Sequence, residues 1–238
     1  MTSKIIQLIS YSLMVFAISC NENSTSPVPS HSTLNGKIEG WHSEGYDSLD
    51  LKLNAQTIAQ AAVDSSGRFE VNSPFPTPDG SLLRHFSSRA DSNLHWRIID
   101  HRAFSDSTTM YAPLEFVGYT RHHIGFDLYS GNNFLITDSG TSIGDFMVSF
   151  FYFNKPGTFT GSYILTFQDS ILIRQFGHTE VVTNCDLDFK AGWNAVTTAI
   201  ESDDSCRRVY SVSIGYPNKT KWFIGWTISY NFALSVQF

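Results

Sequence analysis

The chain has 238 residues, 42% hydrophobic, 14% aromatic and 16% charged, with a net charge of −6. That length suits one large β domain or two small ones and is ample for a core. The acidic balance and the lack of any basic run exclude nucleic acid as a partner.

Lys4 carries the only charge in the first 19 residues, and residues 5–16 are short and mostly apolar. Ala17 and Ser19 place small side chains just ahead of Cys20, after which Asn, Glu, Ser, Thr and Pro take over. This layout predicts a secretory signal peptide over residues 1–19, cut at Ser19/Cys20. A membrane-spanning helix needs roughly 20 apolar residues, and Gln7, Ser10 and Ser12 interrupt this shorter run. The segment resembles the signal peptides of bacterial lipoproteins, whose first mature cysteine is acylated. The resemblance implies lipidation at Cys20 and a membrane anchor in the cell envelope; plain secretion from the same cut is the alternative. Asn21 stands where an Asp, in some bacteria, retains a lipoprotein at the inner membrane, so the resemblance implies the outer membrane. Residues 20–32 contain two prolines and only Val28 as an aliphatic, and are expected to form a flexible tether.

From residue 33 onward the signals are those of strands. Leu49, Leu51 and Leu53 alternate with Asp50 and Lys52, the pattern of a half-buried strand. Asp64-Ser65-Ser66-Gly67 reads as a turn before a strand over 68–71, and residues 74–80 read as a Pro-rich crossing loop. No stretch shows a capped helical period; 58–63 comes nearest. Strands are expected over 94–99, 114–119 and 124–129. Residues 146–153 are apolar on both faces, which predicts a strand in the middle of packed layers. Gly157 and Gly161 are expected to punctuate a hairpin. Strands over 186–190, 193–200 and 207–215 are expected to form a meander. Turns every 8–12 residues predict an all-β protein, an antiparallel β-sandwich over 33–238, as one body or two sub-sheets meeting near 140–145.

Large apolar side chains take every second position from Trp222 to Phe238, with mostly small or polar residues between them and Phe223 the exception. The final nine positions resemble the last strand of outer-membrane β-barrels, which makes a barrel the second reading of the fold. Three further elements carry a resemblance of their own. They are Val63-Asp64-Ser65-Ser66-Gly67-Arg68-Phe69, the stretch from Tyr152-Phe153 to Gly157-Thr158-Phe159-Thr160-Gly161, and Asp186 through Gly192-Trp193-Asn194. They are similar to elements of uncharacterised bacterial cell-envelope lipoproteins that share a Gly-Trp-Asn hairpin. That resemblance implies an envelope protein and no activity or catalytic residue.

Candidate chemistry is sparse. Cys185 and Cys206 fall near one end of the expected meander, so a disulfide or two buried thiols are the alternatives. Gly140-Thr141-Ser142-Ile143-Gly144 fits the Gly-x-Ser-x-Gly elbow, but the chemistry needs a helix after the serine and a strand is expected there. His95, His101, His122 and His123 do not form a ligand or acid–base set on one face, and no metal or cofactor is expected. Asp186 and Asp188 share one face of a strand, as solvated charges. Trp41, Trp96 and Trp193 are the candidates for stacking against a sugar. The resulting expectation is a non-catalytic, lipid-anchored surface or periplasmic module that binds a glycan or an envelope protein. An envelope hydrolase using Ser142 or the Asp pairs, Asp186 with Asp188 or Asp203 with Asp204 in a turn, is a further alternative.

Overall fold

The computed structural model describes residues 34–39, 46–53, 56–71, 78–88, 91–120, 125–131 and 142–225. The strands in chain order are β1 (Leu34–Glu39), β2 (Tyr46–Leu53), β3 (Gln56–Ala62), β4 (Arg68–Val71), β5 (Arg84–His85), β6 (Asp91–Ser92), β7 (Trp96–Asp100) and β8 (Ala103–Phe104). They continue as β9 (Met110–Thr120), β10 (Gly125–Gly131), β11 (Phe146–Phe153), β12 (Gly157–Phe167), β13 (Glu180–Phe189), β14 (Gly192–Asp203), β15 (Arg207–Ile214) and β16 (Lys221–Gly225). One short helix, α1 (Ser170–Phe176), joins β12 to β13. The protein is an all-β sandwich.

Hydrogen bonding orders the strands β4-β1-β16-β10-β9-β11-β14-β15-β13-β12-β7-β6, with β2 and β3 branching from β9. The branch comes back to its origin. β3 runs into β4 through the Val63–Phe69 bridge, and β4 pairs with β1, so seven strands ring one core. That core is filled by Leu49, Leu51 and Leu53 of β2, Phe116 of β9, Phe150 of β11 and Trp222 of β16. Gly36 makes room for the indole, since a Cβ there would lie 2.5 Å from a Trp222 ring carbon. The expected helix-like stretch at 58–63 is strand β3, because its apolar positions point into this ring.

β11 joins the two halves. Its Phe146, Val148 and Phe150 enter the ringed core, while Phe151 and Phe153 enter a second core with Phe159, Leu187 and Phe189. The run that is apolar on both faces is therefore buried on both. β11 pairs with β9 and β10 on one side and β14 on the other, so the ladder crosses residue 145 without a break.

Three expectations are corrected. The ladder is not purely antiparallel: β1 runs parallel to β16, and β13 parallel to β15. The meander is rearranged as well, because β15 lies between β13 and β14 and the 190–192 turn passes around its end. Gly161 ends no hairpin. It sits inside β12 with φ +116°, and a Cβ there would stand 2.3 Å from the His101 carbonyl oxygen. Residues 101–102 cross the strand at that point, which only a glycine permits.

The helix was not anticipated. Asp169 caps it by accepting the Ile171 N–H at 2.7 Å, and Gly177 ends it in the left-handed region at φ +75°. Leu172, Ile173 and Phe176 pack on a third core around Tyr163, Leu165 and Phe167.

Candidate functional site

β12, β13 and β15 bury one face and expose the other over residues 158–162, 184–188 and 211–213, beyond which Val182 and Val209 on the outer side are buried. Phe159, Leu187, Phe189 and Val212 turn inward, so the intervening positions turn out. The register sets Thr160 beside Asp186 and Asp186 beside Ser213. Ser162, Asn184 and Ser211 form the next row, and Thr158 and Asp188 the row on the other side. The eight side chains form a lattice spaced about 4.8 Å across strands and about 6.7 Å along them. Six are exposed, and Ser162 and Ser211 are half-buried. The lattice contains two carboxylates and no cationic side chain. Asp186 and Asp188 are thus outward-facing charges on one strand, with no cleft between them.

Trp193 lies on the same face, further along β14. It is half-buried, packs against the ringed core and meets Tyr152 edge-on with centroids 5.5 Å apart. Its hairpin is shaped by Asn194, whose side chain donates to the Lys190 and Gly192 carbonyls and accepts the Lys190 N–H. Gly192 takes φ +97°. The Gly-Trp-Asn sequence is therefore a turn clamp. Trp96 belongs to the third core instead, and Trp41 lies outside the described residues. Trp96 and Trp193 do not form a joint platform.

The cysteine expectation is corrected. Cys185 pairs with Val212, whereas the Cys206 carbonyl accepts the Thr179 N–H, six positions back along β15. Six strand residues span about 20 Å, and a disulfide needs Cα atoms within about 7 Å. Both thiols are free, Cys185 buried and Cys206 exposed. The expectation began the first strand at 186, whereas β13 begins at Glu180, which shifts the alignment.

Beneath the lattice, on the inner face, Arg102 grips Asp100 through Nε at 2.9 Å and a second guanidinium nitrogen at 3.0 Å. Both side chains are nearly fully buried. The guanidinium lies over Tyr163 at 4.7 Å and Phe86 at 5.6 Å. It reaches the Cys185 thiol, which burial above all pushes up to about 11. This cluster holds the crossing at Gly161, and burial, against the opposing pull of the Arg102 charge, keeps Cys185 protonated at neutral pH.

Other polar clusters cap strand ends. His178 is buried, with Nδ1 2.9 Å from the Asp204 carbonyl and Nε2 3.3 Å from Asp203, which also accepts from Arg208 at 2.9 Å. N–H donation from Cys206 and Arg207 holds the Asp204 carboxyl below its usual value. The Ile171 N–H and His95 do the same for Asp169. Lys155 and the Thr108 N–H hold Asp106 down to about 2. Each carboxylate closes a turn or helix end, Asp106 and Asp204 exposed and Asp169 half-buried.

Ser142 is exposed, its N–H donates to Asp145 at 2.7 Å, and the turn leads into strand β11. The strand–serine–helix geometry of an elbow is not formed. His95 bonds Asp169, His101 is exposed, and His122 and His123 lie outside the described residues. Among the described residues no group of three His, Cys, Asp or Glu side chains is placed to hold a metal ion. No described helix is long and apolar enough to cross a membrane. Cys20, Asn21 and residues 226–238 also lie outside the described residues.

No protein-family model, curated protein or solved structure matches the chain. The lattice was missed in the sequence because its rows come from three strands whose order only the ladder reveals. Polar residues at every second position, Thr158, Thr160 and Ser162 on β12 and Asn184, Asp186 and Asp188 on β13, are the signal that the sequence carries.

Proposed function

We propose that this chain is an exported lipoprotein, acylated at Cys20, whose sandwich binds a hydroxyl-rich envelope polysaccharide without cleaving it. The layout of residues 1–20 supports the address. The exposed lattice of Thr158, Thr160, Ser162, Asn184, Asp186, Asp188, Ser211 and Ser213 carries the binding reading.

Sugar hydroxyls both donate and accept, and the lattice offers partners for each. Ser and Thr hydroxyls do both, the Asn amide does both, and the two carboxylates accept. Trp193, on the same face, adds an apolar ring edge against which a pyranose can pack. Two uncompensated carboxylates disfavour polyanions, so the polymer is neutral or carries amino groups.

Pull-down on insoluble envelope polysaccharide tests the reading. Thr160→Lys with Asp186→Lys should abolish retention while leaving the far-ultraviolet circular dichroism unchanged. Retention equal to that of the parent would refute binding through this face. Mass spectrometry of the membrane fraction tests the anchor, with acylated Cys20 expected as the first residue.

A further inference from the structure

We propose that the rim of the sandwich bearing Leu94, Ile143 and Ile171 rests on the surface of the bilayer that holds the acylated Cys20; this rests on the lipoprotein reading. Those three are the exposed large apolar side chains among the described residues, at 89%, 64% and 72% exposure. All three lie at one end of the strands.

The register shows this directly. Ile38, Trp222, Ser130, Val148, Thr197, Ser213, Asp186 and Thr160 form one row across eight strands. Six positions from that row in one direction lie Asp203, Arg207 and Glu180, the ends of β14, β15 and β13. The turn containing Ile143 precedes β11 at that end. Helix α1, with Ile171, leaves β12 there, and the turn containing Leu94 enters β7 opposite Phe167. Leu34 stands four positions from the row in the same direction, so residues 20–33 join the sandwich at this rim. Those fourteen residues reach at most about 50 Å from Cys20.

The rim is braced. His95 Nδ1 lies 2.8 Å from the Asp169 carboxylate, and the His95 carbonyl accepts the Gln168 N–H at 2.8 Å. The turn of Leu94 is thereby fastened to the start of α1, two residues before Ile171. The opposite rim presents Asn154, Lys155, Lys190, Asp106 and Thr108, and no exposed large apolar side chain among the described residues. This rim, at the end where residues 20–33 enter, carries three exposed aliphatic side chains among charged ones, which suits an interfacial contact in which isolated aliphatic side chains enter the headgroup region.

The exposed thiol of Cys206 sits at the same rim and supplies the probe. Full-length acylated protein, labelled there with a fluorophore, is placed in phosphatidylethanolamine–phosphatidylglycerol vesicles containing shallow nitroxide lipids. Strong quenching is expected at Cys206, and at least about threefold less with the label moved to the far rim in a Cys206→Ser, Lys190→Cys variant. Leu94→Ser, Ile143→Ser and Ile171→Ser together should cut the Cys206 quenching toward the far-rim level while the protein stays on the vesicles. Equal quenching at both rims, or no loss in the triple variant, overturns the proposal. So does rim-to-rim association in detergent with both labels unquenched on vesicles, which assigns the rim to a second copy. Intact mass separates the two claims: a chain lacking acyl groups refutes the anchor and this orientation together, whereas an acylated chain with unquenched Cys206 refutes the orientation alone.

Discussion

Ile38, Trp222 and Val148 share a row and a face with Ser213, Asp186 and Thr160, yet their surroundings are opposite. The first three are 1%, 2% and 4% exposed, and the last three face solvent. The strands themselves are alike in pleat and pairing. What differs is whether other strands close over them: the first half curls with β2 and β3 into the ring around the first core, and the second half does not. A single face of one ladder is thus core over half its width and carries solvent-facing polar side chains over the rest.

Mutation should separate the two halves cleanly. Trp222→Ala removes a side chain wedged against Phe69, Phe116 and Phe150, at centroid distances of 5.1, 4.8 and 6.3 Å. It should cost about 3–5 kcal/mol in urea unfolding, whereas Ser213→Ala should stay within about 0.5 kcal/mol. Equal costs would mean that the outer half is also covered.

The inner face of the same strands gives a sharper contrast. Arg102→Met leaves the Asp100 carboxylate buried without its guanidinium and should destabilise by about 3 kcal/mol. Adding Asp100→Leu should recover most of that loss. A double variant as unstable as the single one would show that the ion pair does not act as a unit.

The mildest probe is chemical. Cys206, past the strand end, should react with a maleimide within minutes at about pH 8. Cys185 should react only on unfolding, since burial both shields its thiol and keeps it protonated. Comparable rates would place the inner face in contact with solvent.

Much of the strand pattern could be read directly. The alternation of Leu49, Leu51 and Leu53, the turn at 64–67 and the doubly apolar run of β11 all mark local periodicity, which the pleat converts into burial. Helix α1 escaped because seven residues give too little period to stand out. Gly161 was misread for a different reason. A glycine marks unusual backbone, but a turn and a close crossing leave the same mark in sequence. The candidate lattice was only partly legible, as polar residues at every second position of β12 and β13.

The residue pattern by itself determined that this chain builds strands, which positions of each face inward, and that its first 20 residues are laid out like an export signal. These follow from spacing along the chain, where side-chain direction repeats every second residue. Tertiary structure decided that β15 slips between β13 and β14, that Cys185 and Cys206 stand about 20 Å apart, and that Thr160, Asp186 and Ser213 form one row. Strand order is set by which apolar faces can be covered together. That is a property of the whole set of strands, carried by no single segment.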